Sequence, residues 1–457
     1  MSDGGLRYFL GQLEASGSLV HFRKEVGVEY EIPAVIKYIA KNVEKAVVFD
    51  KVKGYESLVV GNLFGSRKHL AIAFGIREEE LEKSYVARAQ NPIKPTVVGS
   101  GPVQEVVVEG GIDLQKVMPL LTHHAKDAGA YMSSAITVAK DPETGMRGMG
   151  LHRIQIKGKD GMGFFLGTPP LSEFLAKAER MGKPLEIAVV SGVDPWTFCA
   201  SVFYAPEGID KFDIAGGFAG RSLELVKCRS VDLEVPADAE FVLEGHIIPG
   251  VREKEGPFGE STGYYLTYDN PVGKIEVITH RAKPIYHALM PFTQDEEILI
   301  DVMMRPWMLG MLQESFPGKV RGLSLGAVCE FCAVQIEKKG DDDALKVIEH
   351  LLATPFIKIA VVVDSDVDIC EPKEVIWAMC TRARPDKDVI IKSALLGSMI
   401  DPSVEAPEVL ELGLMAGRTS KIGIDATKPL EELERFERIN VPPEVEKKIL
   451  DLIEVIK

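Results

Sequence analysis

The sequence has little cysteine, no excess of positive charge and no long apolar run. Its 457 residues carry 53 Lys and Arg against 68 Asp and Glu, a net charge of −15, which argues against generic binding of nucleic acid. No apolar stretch approaches the ~20 residues that a membrane span needs. The first residues have neither a basic segment nor an apolar core, so no signal peptide is predicted. The six cysteines are scattered, which fits a reducing cytoplasm.

Signatures of several enzyme classes are also missing. The sequence has no GxGxxG between a strand and a helix, no Walker motif and no GxSxG turn. It therefore gives no support to a Rossmann site, a P-loop or a nucleophile elbow. Its single CxxC, formed by Cys329 and Cys332, falls in a predicted strand, where residues three apart point to opposite faces. We interpret both as core cysteines.

The order of the predicted elements indicates an α/β protein of several domains, about two to four for this length. Helix patterns alternate with short β-rich runs over residues 1–105, which predicts an N-terminal α/β domain. Residues 106–300 are dominated by short β runs separated by turns, a pattern typical of a barrel or sandwich. Residues 301–457 return to α/β, with an apolar buried strand in 356–369 and an amphipathic helix over 442–457.

The stretch KEGPFGESTGYY, residues 254–265, brings two carboxylates close together in the chain. Glu255 and Glu260 flank Gly-Pro-Phe-Gly, and these glycines and this proline predict a loop. Two acids on such a loop can converge on one small volume, where they resist being ionised together. One of them would then hold a proton at neutral pH and serve as a donor. The alternative is a solvated polar turn, which the loop alone favours.

A second stretch, DPETGMRGMGLHRIQIKGK at residues 141–159, offers a cation. Arg153 opens a predicted strand after a glycine-rich approach that includes Gly148 and Gly150. Glycines let a backbone come close to a ligand, and backbone N–H groups can bind phosphate. Arg153 could hold a carboxylate through paired hydrogen bonds. The alternative is a surface arginine on a strand, and both interpretations stay open on these residues alone.

Several motifs in a fixed order resemble the UbiD family of reversible decarboxylases, and together they cover roughly residues 100–405. In order, they read HHAKDAGAYMSSAITVAKDPETGMRGMGLHR, SLELVKCRSVDLEVPADAEFVLEGHI, EGPFGESTGYY, THRAKPIYHALMP, LQESFPGKV and KIAVVVDSDVDICEPKEVIWAMCTRARPDKDVI. The resemblance implies an N-terminal α/β domain, a central split-barrel flavin-binding domain and a C-terminal α/β domain used for oligomerisation, with the boundaries given above.

The resemblance also implies a chemistry. The family's cofactor is prenylated FMN, which a separate flavin prenyltransferase supplies. Its substrates are α,β-unsaturated or aromatic carboxylic acids. The prenylated flavin carries the bond-breaking chemistry, and a carboxylic acid of the protein protonates the carbon that CO2 leaves. We therefore expect a cytoplasmic carboxy-lyase that forms a homo-oligomer, a dimer or a hexamer, binds no nucleic acid and has no membrane span.

Residue by residue, the resemblance assigns catalysis to Arg153, Glu255 and Glu260. Glu260 stands at the position of the proton donor. Glu255 would pair with Arg153, and Arg153 would orient the substrate carboxylate. The same resemblance implies a cofactor-binding set: Gly148, Leu151, His152, Arg153, Phe165, Leu166, Gly167, Pro170 and Arg221.

The family's metal site does not carry over. The family holds a divalent ion, usually manganese, between the flavin phosphate and an Asn, a His and a Glu. In this sequence those positions fall at Gly148, near Pro170 and at Arg221, none of which is a metal ligand. We therefore predict no metal, and a flavin phosphate held by the guanidinium of Arg221. The alternative is a solvated Arg221 beside an empty site.

Two other functions stay open. The lost metal positions are also consistent with a catalytically silent UbiD-like subunit that scaffolds or regulates a multi-subunit carboxylase. A further alternative is an enzyme of the same fold that binds plain FMN. The intact set of Arg153, Glu255 and Glu260 favours the carboxy-lyase.

Overall fold

The computed structural model describes residues 5–205, 208–326, 330–405, 417–442, 444–445 and 449. The helices are α1 (Leu6–Ala15), α2 (Glu31–Asn42), α3 (Arg67–Phe74), α4 (Leu81–Ala89), α5 (Leu114–Val117), α6 (Leu171–Arg180), α7 (Pro195–Val202), α8 (Lys211–Ala219), α9 (Gln294–Ser315), α10 (Asp343–Ala353) and α11 (Pro372–Arg382). Short 3-10 turns occupy Glu78–Glu80, Pro102–Gln104 and Leu430–Phe436.

The strands of the described residues form four sheets. They are β1 (Leu19–Phe22), β2 (Ala46–Phe49), β3 (Leu58–Gly61), β4 (Thr96–Val98), β5 (Val106–Glu109), β6 (Tyr131–Lys140), β7 (Arg147–Lys157), β8 (Gly161–Phe164), β9 (Leu185–Ser191), β10 (Glu224–Lys227), β11 (Glu234–Pro236), β12 (Phe241–Gly259), β13 (Tyr265–His280), β14 (Ile285–Ala288), β15 (Val320–Leu325), β16 (Phe331–Ile336), β17 (Ile359–Asp364), β18 (Val389–Gly397) and β19 (Gly417–Ala426).

The N-terminal sheet has the order β1-β2-β3-β14, so its last strand comes from a segment that follows the central sheet in the chain. A small sheet, β11-β10-β4, pairs a strand that precedes the central sheet in the chain with two strands that lie between β9 and β12. Apolar residues of α1, α3, α7 and α8 share one buried cluster with residues of the central strands. The N-terminal and central regions are therefore packed on a common core.

The central sheet closes on itself. Its order is β12-β9-β6-β7-β8-β13-β5, and β12 also pairs with β13, so the pairings form a ring that leaves out only β5. Alternate residues of its strands point to different clusters: Val138 and Val190 pack with α7 and α8, whereas Ala139 and Val189 pack with α6. This alternation is the period of two expected of strands that are covered on both faces. The assignment of the ring as a split barrel stays a prediction.

The C-terminal sheet, β15-β16-β17-β19-β18, has helices on both faces. On β17, Ala360 and Val362 share a cluster with residues of α10, and Val361 and Val363 share another with residues of α11. A strand buried on both faces is what the continuous apolar run predicted. The mixed α/β fold that the sequence predicted is confirmed.

Some sequence predictions fall outside the described residues. The helix over 442–457 lies mostly there, as does Cys329. The boundaries of the three predicted domains also stay predictions. In the part of the chain that the structure describes, no helix is long and apolar enough to cross a membrane. A cytoplasmic location stays a prediction.

Buried histidines link the stability of the fold to pH. Burial lowers the pKa of His69 and His123 to about 4 and that of His152 and His287 to about 3. An unfolded histidine has a pKa of about 6.5. Because the unfolded chain then binds protons that the folded chain does not, the free energy of unfolding falls as the pH decreases from about 6.5 towards about 4.

We predict that His287→Phe makes this fall less steep. His287 packs against Phe64 and Phe198, with ring centroids 6.1 and 4.7 Å away, so another aromatic ring keeps the packing. Because the variant has one titrating group fewer, the slope of the free energy of unfolding against pH falls by about 1.4 kcal/mol per pH unit near pH 5. Urea unfolding from pH 8 to pH 5 measures the slope, and the difference at pH 8 reports packing alone. Parallel curves for the two proteins would contradict the prediction.

Candidate active site

The stretch around EGPFGE ends a strand, and the prediction of a loop is wrong for most of it. β12 continues to Gly259, with a register shift against β13 between Glu255 and Phe258. Gly256 lies in this bulge with φ of 103°, and a Cβ there would stand 2.5 Å from the carbonyl oxygen of Leu266. Only glycine suits such a backbone. The irregular residues are thus absorbed as a bulge, and pairing resumes beyond them.

Glu260 stands where β12 ends and a tight turn begins. Its amide donates to the carbonyl of Tyr264 (2.9 Å), while the amide and hydroxyl of Ser261 donate to its carboxylate at 3.1 and 3.3 Å. The hydroxyl of Thr262 donates to the carbonyl of Ile400 at 2.9 Å. Hydrogen bonds within the turn therefore stabilise it, and the bond from Thr262 links it to the segment that follows β18.

Arg153, Glu255 and Glu260 converge, as the sequence predicted. Arg153 lies well inside β7, which begins at Arg147, so the prediction that it opens a strand is wrong. Its Nε and Nη2 donate to the two carboxylate oxygens of Glu255 at 3.2 and 2.8 Å, and its Nη1 contacts Oε1 of Glu260. Asn270 of β13 donates to Glu255 at 3.0 Å. Glu255 is fully buried, whereas Glu260 is 9% exposed.

Aromatic rings surround the guanidinium of Arg153. Its Cζ lies 3.9 Å from the ring centroid of Phe165, 5.3 Å from that of Phe258 and 5.9 Å from that of Tyr268. Such rings exclude water and attract a cation through their quadrupoles. Burial raises the pKa of Tyr268 to about 12, and its hydroxyl donates to the carbonyl of Met399. The ion pairs of Arg153 therefore lie in a dry, rigid environment.

The segment 123–131 supports the end of β12 from the other side. Asp127 accepts the amides of His123 and His124 at 3.1 and 2.8 Å and the amide of Gly259 at 2.9 Å. Burial alone would raise the pKa of Asp127, but the hydrogen bonds from His124 and from these amides hold it below its ordinary value. Tyr131 lies beside Glu255, and burial together with that carboxylate raises the pKa of its hydroxyl.

The predicted cofactor-binding residues do not form one surface. Phe165 stacks on Arg153, Leu166 is buried, and Leu151 and Gly167 are partly buried. Gly148 and His152 belong to the opposite face of β7 from Arg153, because successive residues of a strand alternate. Residues that are close in the sequence, such as His152 and Arg153, therefore lie on opposite faces of β7.

The space beside Gly148 is occupied by protein. A Cβ at this position would lie 2.7 Å from Pro170 and 2.8 Å from the ring of Phe174. The room that the glycine was expected to leave for a ligand is thus filled by residues at the start of α6. Among the described residues, no three His, Cys, Asp or Glu side chains form a group that could hold a metal ion. The residues here do not fit a divalent metal.

Arg221 lies on the turn after α8, where its side chain is exposed. Its Cζ stands 5.6 Å from the ring centroid of Trp196, and its Nη1 donates to the carbonyl of Ser222 at 3.4 Å. Burial raises the pKa of the nearby Asp194, and hydrogen bonds from Thr197 and the charge of Arg221 oppose that rise. Binding of a phosphate by Arg221 stays a prediction.

Comparison with known families covers nearly the whole chain. Residues 10–88, 96–294 and 297–426 match the N-terminal, Rift-related and C-terminal domains of 3-octaprenyl-4-hydroxybenzoate carboxy-lyase, UbiD. The chain therefore belongs to the UbiD family of carboxy-lyases.

Several characterised proteins resemble the chain over most of its length. Anhydromevalonate phosphate decarboxylase of Methanothermobacter thermautotrophicus is 32% identical over 95% of this chain and 99% of its own. The UbiD-class enzyme HmfF of Pelotomaculum thermopropionicum, solved with FMN, is 38% identical, with a TM-score of 0.88 over 98% and 99% of the two chains. An evolved dimeric form of HmfF, solved with prFMN, is 37% identical, with a TM-score of 0.84 over 96% and 97%.

A fourth comparison is with an aromatic-acid decarboxylase. Vanillic acid decarboxylase of Sedimentibacter hydroxybenzoicus, in its closed form, is 32% identical, with a TM-score of 0.86 over 98% of each chain. These structures share the arrangement of the whole chain and not only of one domain.

Sequence reasoning missed several residues that shape this site. Asn270 sits in TYDNPVG, which carries no recognisable pattern, and its contact with Glu255 depends on the register of β12 and β13. Asp127 had a detectable signal, since it lies in the first of the motifs that resemble the family. The rings of Phe258 and Tyr268 became neighbours of Arg153 only through strand pairing.

We predict that replacing Arg153 alone lowers the free energy of unfolding more than replacing Arg153 and Glu255 together. Arg153→Met leaves Glu255 buried without its cation and should lower the free energy of unfolding by about 3–5 kcal/mol. Arg153→Met combined with Glu255→Leu removes both charges and should cost less than Arg153→Met alone. Urea unfolding of the two single variants and the double variant completes a double-mutant cycle. Additive losses would show that the two side chains are not coupled.

Proposed function

We propose that this protein catalyses the non-oxidative decarboxylation of an α,β-unsaturated or aromatic carboxylic acid with prenylated FMN. The proposal is carried by one observation: a single buried guanidinium, that of Arg153, contacts both Glu255 and Glu260. It is supported by relatives that are named decarboxylases and by HmfF structures that contain FMN or prFMN. When bound, the prenylated flavin supplies the chemistry that breaks the bond to CO2.

Arg153 is suited to hold a carboxylate near the reacting carbon. Glu255 occupies its Nε and Nη2, so the pair fixes the plane of the guanidinium and leaves Nη1 directed towards Glu260. A planar fork held in this way loses little side-chain entropy when a second acid binds. Arg153 therefore orients the substrate carboxylate, and Glu255 and Asn270 position Arg153.

Glu260 is suited to deliver the proton that replaces CO2. One positive charge compensates two carboxylates, so one of them is stabilised by holding a proton. Glu260 is the more exposed of the two, and Ser261 keeps one of its oxygens oriented. It can therefore exchange protons with solvent between turnovers, whereas Glu255, fully buried, stays paired.

One experiment distinguishes this proposed function from two alternatives, an enzyme that uses plain FMN and a catalytically silent subunit. Protein co-expressed with a flavin prenyltransferase is purified, and its absorption spectrum and its release of CO2 from a panel of unsaturated and aromatic acids are measured. We expect the spectrum of a prenylated flavin together with CO2 release. An unmodified flavin spectrum would favour the enzyme that uses plain FMN. A protein that binds flavin but releases no CO2 would favour the silent subunit.

We predict that Glu260→Gln lowers turnover by about 10²–10⁴-fold, the usual contribution of a general acid. Glutamine keeps the shape but has no proton to give, so the fold and flavin binding should survive. Glu253→Gln, on the same strand but 55% exposed beside Lys157, is the matched control and should retain activity. Initial rates of the flavin-loaded proteins decide the matter. A Glu260→Gln variant as fast as wild type would sink the role assigned to Glu260.

We further propose a homo-oligomer, a dimer or a hexamer, formed through the C-terminal domain. Among the described residues, β18 is an edge strand of its sheet, and on it Ile391 is 68% and Leu396 42% exposed. An apolar edge strand left in water is a liability that a partner copy can cover. Light scattering at micromolar concentration should show an assembly that Ile391→Glu weakens and that Ile376→Glu, on the exposed face of α11, leaves intact. A monomeric wild type contradicts this.

A further inference from the structure

The start of α8 lies beside the start of β7, close to Gly148. Asp210 precedes the helix and accepts the amide of Phe212 at 2.9 Å. Arg147, the residue before Gly148, donates to the carboxylate of Asp210 from Nε at 3.0 Å and from Nη2 at 2.6 Å. Arg147 thus pairs with Asp210, and it also donates from Nη1 to Glu234 at 2.9 Å. Lys211, the first residue of α8, is consequently held at this end of β7.

Lys211 is a cation without a counter-charge among the described residues. Its ammonium donates to the carbonyl of Ser201 at 2.9 Å, and no carboxylate in the described ranges lies within ion-pair distance. Burial lowers the pKa of Lys211 to about 8. A buried charge that is not paired is costly, so this arrangement favours an anion. Part of the side chain remains accessible, which lets a ligand reach it.

His152 adds a second buried polar group, which hydrogen-bonds with the backbone of Gly150 but leaves Nδ1 without a partner among the described residues. The residue is 6% exposed. Burial, and after it the positive charge of Lys211, lower the pKa of His152, so the ring stays neutral. A neutral imidazole can donate one N–H to an oxygen anion. Buried polar atoms left unpaired in a protein mark a place for a ligand or water.

We propose that Lys211 and His152 bind the phosphate of the flavin, so that this chain holds its cofactor without a divalent metal. The inference rests on the proposed function, since it takes a flavin as the ligand. A phosphate monoester carries a charge of about −1.5 to −2, which an ammonium, a neutral N–H donor and the N-terminus of α8 would together compensate. Gly148 and Pro170 close the neighbouring space and supply no metal ligand.

Lys211 is better suited than Arg221 to bind the flavin phosphate. The guanidinium of Arg221 is exposed, lies over the ring of Trp196 and acts on the buried Asp194. The ammonium of Lys211 instead acts on His152, which the resemblance to the family also places at the cofactor. A charge held away from water binds an anion more strongly than one that is solvated.

The test compares FMN with riboflavin, which lacks the phosphate, on full-length apoprotein prepared in EDTA. Flavin fluorescence and the shift in Tm report binding, with and without added Mn²⁺. For wild type we expect FMN to bind more tightly than riboflavin and Mn²⁺ to change neither affinity. Lys211→Met should weaken FMN at least about tenfold, the minimum for a lost charge-assisted hydrogen bond, and leave riboflavin unchanged. Lys183→Met, an exposed lysine after α6, is the matched control.

Four outcomes would overturn the proposal, and each points to a different explanation. If wild type binds FMN only with Mn²⁺, the site holds a metal. If FMN and riboflavin bind alike, any phosphate at Lys211 belongs to another ligand, such as a phosphorylated substrate. If Arg221→Ala weakens FMN and Lys211→Met does not, the cation is Arg221. If neither flavin binds with or without Mn²⁺, the proposed function itself fails. A higher Tm of the Lys211→Met apoprotein would show that the variant folds and that the unpaired charge was costly.

Discussion

The buried ion pairs of Arg153 are the interaction on which the rest of this site depends. One guanidinium contacts two carboxylates five residues apart in the chain, one on β12 and one just beyond its end, and aromatic rings lie around it. In such surroundings neither an unpaired cation nor an unpaired anion is tolerated, because desolvation costs several kcal/mol per ion. The pairs are therefore both a structural requirement and a source of reactivity: the cation can orient an acid, and the second carboxylate can hold a proton.

The register of the paired strands, and not a flexible loop, places Arg153 beside its two carboxylates. β7 carries Arg153, β12 carries Glu255 and ends before Glu260, and the bulge at Gly256 shifts the strand between the two acids. Asp127 fixes the end of β12, and Thr262 links the following turn to the C-terminal domain. The site therefore lies where central and C-terminal segments of the chain meet.

Much of this could be predicted from the sequence, for identifiable reasons. The alternating helix and strand patterns predicted the fold class, and the apolar run through Val361 predicted a strand covered on both faces. Glu255, Glu260 and Arg153 were predicted to converge from the motifs. Proline and glycine signals predicted a loop at Gly256, but pairing on both sides of a bulge overrode them. Asn270 and the rings of the aromatic cage could not be found, because their contacts depend on a register that no local pattern encodes.

On the other face of β7, Gly148 is packed by protein, and the pairing of Arg147 with Asp210 holds the start of α8, with Lys211, beside the start of this strand. The central claim nevertheless concerns Arg153 and its two carboxylates. It is tested most directly by turnover of the flavin-loaded protein in D2O, with the product examined by mass spectrometry and NMR. The account predicts one deuterium per product molecule, on the carbon that carried the carboxylate, with CO2 released in equal amount. A protein with full flavin occupancy that releases no CO2 and places no deuterium on any acid of the panel would contradict it.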